Sequence, residues 1–416
     1  MYLSNHDQSL LNGAHGDGAA MAARILVESA KLLGAERLID VASAHIDGCL
    51  YHGDSGVHFA EALVSGKARV SVDTTLNVGA LDLLNPRNVH LDDHRRDMAF
   101  RLMKAHEDMG CRSSWTCAPY QAGHRPAVGQ NIAWGESNAV VFANSVLGAR
   151  TNRYGDFLDI CCAITGRAPE TGLHLSDNRR AQIVVDITGL STELLATDAF
   201  YPVLGAWYGR TLGEAIGVID GLPENTGEDR LKALGAAAAS SGAVGLFHAV
   251  GLTPEAPDLE TALAGEKPIE TIRITSEMMR AARDRLSTTS SGKVDAIAVG
   301  SPHFSLEEFR ALVRALAGRR SALPFYACTG RHAIEALERE GLRVPLEASG
   351  ITLVADTCVV VTPILQGIDG VLMTNSGKFA HYAPGNTGYS VLYGSLADCV
   401  ETAVAGRLIR DEEHWQ

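Results

Sequence analysis

Between residues 294 and 361 the chain repeats one simple unit, a short Val- and Ile-rich run followed by an amphipathic stretch. The apolar runs are "VDAIAVG" (294–300), "LPFYACT" (323–329) and "ITLVADT" (351–357). Between them lie "SLEEFRALVRALAGRR" (305–320) and "RHAIEALEREGL" (331–342). Ser305 is placed to cap the first of these helices. The alternation predicts β-α-β-α-β, and a helix linking two strands of one sheet calls for parallel pairing. In such sheets ligands gather beyond the carboxyl ends of the strands. Those ends carry "GSPH" (300–303), "CTGRH" (328–332) and "DTC" (356–358), so neighbouring strands would line one crevice with them.

The same texture runs through most of the chain. Further strand candidates are 37–43, 68–74, 139–146, 181–187, 244–250 and 370–376, with a helical pattern at 276–286. Together with 42 glycines, this predicts an α/β protein of several α/β/α units with mostly parallel sheets. The expected division is 1–190, 191–375 and a C-terminal segment 376–416. Residues 253–271, rich in Pro and acid, read as an exposed connection, and the tail "RDEEHWQ" as solvated.

A net charge of −13 argues against a nucleic-acid partner. The longest uncharged run, 233–252, is full of Ala, Gly and Ser and contains His248. It reads as a helix end, a turn at 240–242 and a buried strand, not as a membrane span. The start shows no basic segment followed by an apolar one, so a cytoplasmic location is expected. Eight cysteines at irregular spacing, with no CxxC pair, argue against a disulfide framework and a zinc ribbon.

Several stretches carry chemistry. Cys117 stands just before Pro119 in "GCRSSWTCAPYQ". Residues 128–156 hold Ser137, Asn144, Ser145, Arg150, Asn152 and Arg153, which read either as an anion site or as a salt-bridged surface loop. Lys378 and His381 lie in "LMTNSGKFAHYAPGN", read as a polar loop after a strand. "HIDGCLYHGD" (45–54) and "DTTLN" (73–77, with Thr75) are polar tips after apolar runs. Cys358 is either a packed thiol or a ligand at a strand tip.

"CAPY", "GQNIAWGESNAVVFANSVLGARTNRYGD", "ITGRAPETGLHLSDNR", "GSPHFSLEE", "DTCVVVTP" and "NSGKFAHYAPG" together resemble the large subunit of aconitase X, in order, from about residue 40 to 390. The resemblance implies an aconitase-like arrangement of α/β units around a central cleft. It also implies an iron–sulfur cluster, of 2Fe-2S or 4Fe-4S type, or iron alone. Cys117 and Cys358 match the family's cluster cysteines. The family's third cysteine, in Gly-Cys-Pro-His, is replaced here by Ser301. Cys328 is the substitute that strand geometry favours, and Cys111 the second.

The implied reaction is dehydration of cis-3-hydroxy-L-proline, leading to Δ1-pyrroline-2-carboxylate, with Arg150 and Arg153 on the substrate carboxylate. Alternatives are a phosphomevalonate dehydratase large subunit, or a non-catalytic metal-binding scaffold. The family's small swivelling part has no counterpart in the sequence, so a separate small subunit is expected to complete the site. Should the base lie on this chain, Lys378, His303 and His381 are the first candidates.

Overall fold

The computed structural model describes residues 1–415 apart from 366 and 368. The chain separates into two compact units, Met1–Leu81 with Leu91–Arg179, and Asp82–His90 with Arg180–Gln416.

The first unit contains β1 (Leu38–Asp40), β2 (Ser43–Ile46), β3 (Asp73–Leu76), β4 (Ala133–Trp134) and β5 (Arg167–Pro169). A parallel sheet runs in the order β3-β2-β4, while β1 pairs antiparallel with β5. Helices Asp17–Leu32 and Leu158–Thr165 pack together, as do Asp54–Ser65 and Asp93–Asp108. Cys161 and Cys162 are buried in helix Leu158–Thr165, as packing thiols do.

The run 139–146 is a helix, Ser137–Ser145, not a strand. Residues 138–145 are buried on every side, so the run lacks the polar stripe that marks a surface helix. Glu136 starts it by accepting a hydrogen bond from the Ala139 amide at 2.8 Å.

The second unit holds two parallel sheets. β6 (Ile183–Asp186), β7 (Gly217–Asp220), β8 (His248–Ala249) and β9 (Glu270–Arg273) run in the order β8-β7-β6-β9. β10 (Ala296–Val299), β11 (Phe325–Thr329), β12 (Ile351–Ala355), β13 (Val371–Thr374) and β14 (Ser390–Tyr393) run in the order β12-β11-β10-β13-β14. Helices Leu306–Leu316 and Arg331–Arg339 cover this sheet with Phe309, Leu312 and Leu337 against Ile297, Val299 and Phe325. Ser305 caps as expected, in a reciprocal box with Glu308.

Two readings change, and the exposed connection 253–271 is kept with added structure. The segment after β13 is a helix, Gly377–Thr387, capped by Ser376, and β14 follows it in the same sheet, so 376–416 builds onto the unit before it. Residues 253–271 contain a short helix, Leu259–Ala262, and lead into β9. The tail is anchored, because Trp415 is buried and its carbonyl accepts from Arg280 at 2.8 Å. No helix among the described residues is long and apolar enough to cross a membrane.

His106 and His174 set an acid limit on the first unit. Burial lowers both to about 4, and Arg179 and Arg150 add to the effect at His174. The unfolded value is about 6.5. Their contribution is therefore complete above about pH 6.5 and lost as pH falls toward about 4, up to roughly 3 kcal/mol each. His106→Leu is expected to flatten the fall of Tm between pH 6.5 and 4.5. An unchanged slope would contradict this reading.

Candidate active site

Parallel pairing places the exits of β10, β11, β12 and β13 on one edge of the second unit's main sheet. Gly300 turns the chain at φ 90°, and a Cβ there would lie 2.1 Å from the Cys328 carbonyl oxygen. Only glycine fits that position. The turn brings Ser301 and His303 across the strand ends. The Ser301 carbonyl accepts from the Ser376 hydroxyl, and Ser376 caps the helix whose first turn carries Lys378.

His303 is fully buried, and burial takes its pKa down to about 3, so it is neutral. Its Nε2 lies 3.2 Å from the Thr357 carbonyl oxygen. A carbonyl only accepts, so His303 donates there and holds the residue before Cys358.

The other side of Cys358 is held by charge. Asp356 leaves β12 in the left-handed region at φ 62°. Its buried carboxylate receives a fork from Arg331, at 2.6 Å from Nε and 2.7 Å from Nη2. Burial raises the Asp356 pKa and Arg331 opposes the rise. The Ala355 amide donates to Asp82 at 3.3 Å. The Thr357 and Thr362 hydroxyls pair at 2.7 Å. Asp356 and Thr357 thus fix the turn that presents Cys358.

Lys232, on helix Glu228–Ser241, is buried beneath this edge. It pairs with Asp229 at 2.9 Å and with Glu308, and donates to the His303 carbonyl at 3.3 Å. Burial opposes its charge, but the two carboxylates outweigh burial and raise its pKa. Nothing in the sequence pattern of "EDRLKALG" distinguishes this lysine from a solvated one. Lys232→Met would leave two carboxylates without their cation, and is expected to cost about 3–5 kcal/mol in urea unfolding. A loss below about 1 kcal/mol, the scale of an exposed pair, would contradict that.

The first unit has a comparable edge. β2, β3 and β4 deliver Asp47, Asn77 and Glu136 just past their ends. Asp159 is fully buried, with Oδ2 accepting from the amides of Asp47 (2.7 Å) and Gly48 (3.1 Å) and Oδ1 from that of Ile160 (2.6 Å). Burial pushes its carboxyl up to about 7 despite these bonds. Cys117 is buried nearby, its carbonyl accepting from Asn138 Nδ2 at 2.7 Å. Of these, the sequence pattern singles out only Cys117. The signal for Asp47 and Asn77 was present, as polar residues ending apolar runs, but loops satisfied by hydrogen bonds look the same.

The other expected site residues lie as follows. Thr75 Oγ1 lies 2.8 Å from His45 Nδ1 and 2.7 Å from His124 Nδ1, fully enclosed. Asn144 binds the Thr151 amide and carbonyl and takes Arg179 on its Oδ1 at 3.0 Å. Asn152 bridges Thr171 and Leu173. Ser145 is buried and Ser137 half-buried in helix Ser137–Ser145. Arg150 donates to the His174 carbonyl at 3.2 Å, and its buried Nε has no hydrogen-bond partner, whereas Arg153 is exposed. Lys378 is half-buried, and His381 is exposed beside Tyr382. Cys328 lies inside β11 rather than past its end, fully buried. His332 stands in the strand tip CTGRH. Neither of its ring nitrogens has a hydrogen-bond partner, and burial lowers it to about 4.

Among the described residues no three His, Cys, Asp or Glu side chains gather closely enough to hold a metal on their own. Cys117 and Cys358 suit an iron–sulfur centre in donor type, as thiols on tightly held irregular segments. In number they fall short of a full ligand set.

Parallel sheets whose carboxyl edges carry thiols, imidazoles, a lysine and carboxylates define an α/β enzyme with its chemistry at strand ends. Residues 1–177 match the family described as aconitase X first domain, 181–284 the second domain and 294–405 the third. A cis-3-hydroxy-L-proline dehydratase of Pseudomonas aeruginosa is 44% identical over 97% of this chain and 70% of its own length. A phosphomevalonate dehydratase large subunit of Methanothermobacter thermautotrophicus is 37% identical over 94% of this chain and 96% of its own length. The crystal structure of Thermococcus kodakaraensis aconitase X in its holo form superposes with a TM-score of 0.86 at 33% identity. It covers 97% of this chain and 100% of that one. The chain belongs to the aconitase X family and is a hydro-lyase of that type.

Proposed function

We propose that the chain is the large part of a cis-3-hydroxy-L-proline dehydratase. The observation that carries this reading is the match to hydroxyproline dehydratases at 44% and 40% identity across 97% of the chain. The phosphomevalonate dehydratase large subunit is the second reading, supported by end-to-end matches at 33–37% identity.

Dehydration removes the proton beside the carboxylate and expels hydroxide from the neighbouring carbon. An iron centre, when bound, supplies Lewis acidity for the departing hydroxide. Cys117 and Cys358 are its proposed ligands, with Cys328 a weaker third because it lies within a strand. His303 is a positioning residue, since its N–H is committed to Thr357. Lys378, at a helix start beside neutral His303, supplies positive charge for an anionic intermediate. Arg150 and Arg153 are proposed to take the substrate carboxylate. The base must stand within about 3 Å of the acidic proton in a space closed to water. The proposed source is the small swivelling part, as a separate subunit. Support for a separate subunit comes from the relatives named large subunits, which match over nearly their whole length, while the hydroxyproline dehydratases extend beyond the region they share with this chain.

The test is turnover of cis-3-hydroxy-L-proline and of 5-phosphomevalonate by the iron-loaded 416-residue chain, with and without a co-expressed small subunit. Turnover of hydroxyproline only in the presence of the subunit is expected. Full turnover by the chain alone would overturn the two-part reading, and exclusive turnover of phosphomevalonate would overturn the substrate.

A further inference from the structure

Thr75 in β3 pairs with His45 in β2. Its hydroxyl lies 2.8 Å from His45 Nδ1 and 2.7 Å from His124 Nδ1. All three side chains are buried, and both imidazoles pack on the Trp134 ring, with centres 5.6 Å away for His45 and 5.1 Å for His124. Burial holds both histidines below the ordinary range, His124 at about 4. At neutral pH each ring therefore carries one N–H and one bare nitrogen.

A hydroxyl has one proton to give. If both Nδ1 atoms donated to Thr75, that proton would be buried without an acceptor, which is costly. If neither donated, two acceptors would compete for it. The hydroxyl therefore donates to one ring and accepts from the other, and the two imidazoles hold opposite tautomers. The backbone decides which is which. The Thr116 amide donates to the Leu76 carbonyl at 3.2 Å, next to Thr75 in the chain. The Thr116 carbonyl acts on the His45 ring and raises its pKa against burial. Thr75 occupies Nδ1, so Nε2 is the atom turned to that carbonyl, without the geometry of a full hydrogen bond. A carbonyl only accepts. His45 thus carries its proton on Nε2, Thr75 donates to His45 Nδ1, and His124 Nδ1 donates to Thr75.

The second unit repeats the device. His303 donates from Nε2 to the Thr357 carbonyl, and Thr357 precedes Cys358 as Thr116 precedes Cys117. We propose that the directed chain His124–Thr75–His45 positions the Thr116–Cys117 dipeptide, as His303 positions Thr357–Cys358. His45, Thr75 and His124 are then positioning residues for the Cys117 thiol. This rests on the reading of Cys117 as an iron ligand and deepens it.

Nitrogen NMR of the histidine-labelled full chain reads the tautomers directly, with signals assigned by their loss in His45→Gln and His124→Gln. The proton is expected on Nε2 of His45 and on Nδ1 of His124. Thr75→Val removes the hydroxyl with little change of shape. It should speed alkylation of Cys117 in the metal-free chain about fivefold to tenfold, while buried Cys162 and Cys399 keep their wild-type rates. Thr75→Ser keeps the hydroxyl and should stay within about twofold of wild type. A His45 proton on Nδ1, an unchanged Cys117 rate in folded Thr75→Val, or an equal rise at all three cysteines would each overturn the positioning role alone. The tautomers are read on wild type, so the test stands even if Thr75→Val does not fold. Full iron retained by Cys117→Ser would overturn the ligand reading, and with it the reason for holding this thiol.

Discussion

Parallel pairing is the constraint on which the rest depends. Strands that run the same way all leave a sheet on one edge, and the backbone groups there are no longer tied up in the ladder. In the second unit this brings the segments after β10, β12 and β13 together, and each is then fixed by a different device. Gly300 lets the chain turn against β11. Arg331 holds Asp356 in a left-handed conformation that a non-glycine residue adopts only at some cost. Ser376 ties the start of a helix to Ser301. Three unrelated local interactions thus hold one surface, which keeps Cys358, His303 and Lys378 in register.

Buried charge is the cost of that surface. Lys232 carries a full charge under the edge because Asp229 and Glu308 share it. Burial pushes Glu308 up to about 7 even with Lys232 beside it. The first unit shows the opposite imbalance, since Asp47, Glu136 and Asp159 lie close together at its sheet edge. One edge is thus weighted toward cations and the other toward anions.

The sheet around residues 294–376 was legible because its strands are short, β-branched and separated by strongly amphipathic helices such as "LEEFRALVRAL". The alternation predicted parallel strands whose tips group if the strands are neighbours, and the order β12-β11-β10 makes them neighbours. The helix Ser137–Ser145 was not legible, because a helix buried all round shows no polar stripe and its Val-Val-Phe run imitates a strand. Asn144, Asn152 and Thr75 looked like binding residues because amides and hydroxyls amid apolar residues signal either a site or a scaffold bond. Their bonds to Thr151, Thr171 and His45 are contacts that the sequence pattern does not show. Lys232 and Asp47 escaped for the converse reason. Their local sequence is ordinary, and their burial and long-range partners give them their importance.

The central proposal is that the strand-tip thiol of Cys358 and the loop thiol of Cys117 are iron ligands, with Cys328 chiefly a packed strand residue. Iron and acid-labile sulfide, measured on anaerobically purified Cys358→Ser, Cys117→Ser and Cys328→Ser chains, test it most directly. The account expects the first two variants to lose most of their iron and the third to keep at least half. Full iron and sulfide in Cys358→Ser, with the fold intact by circular dichroism, would contradict it.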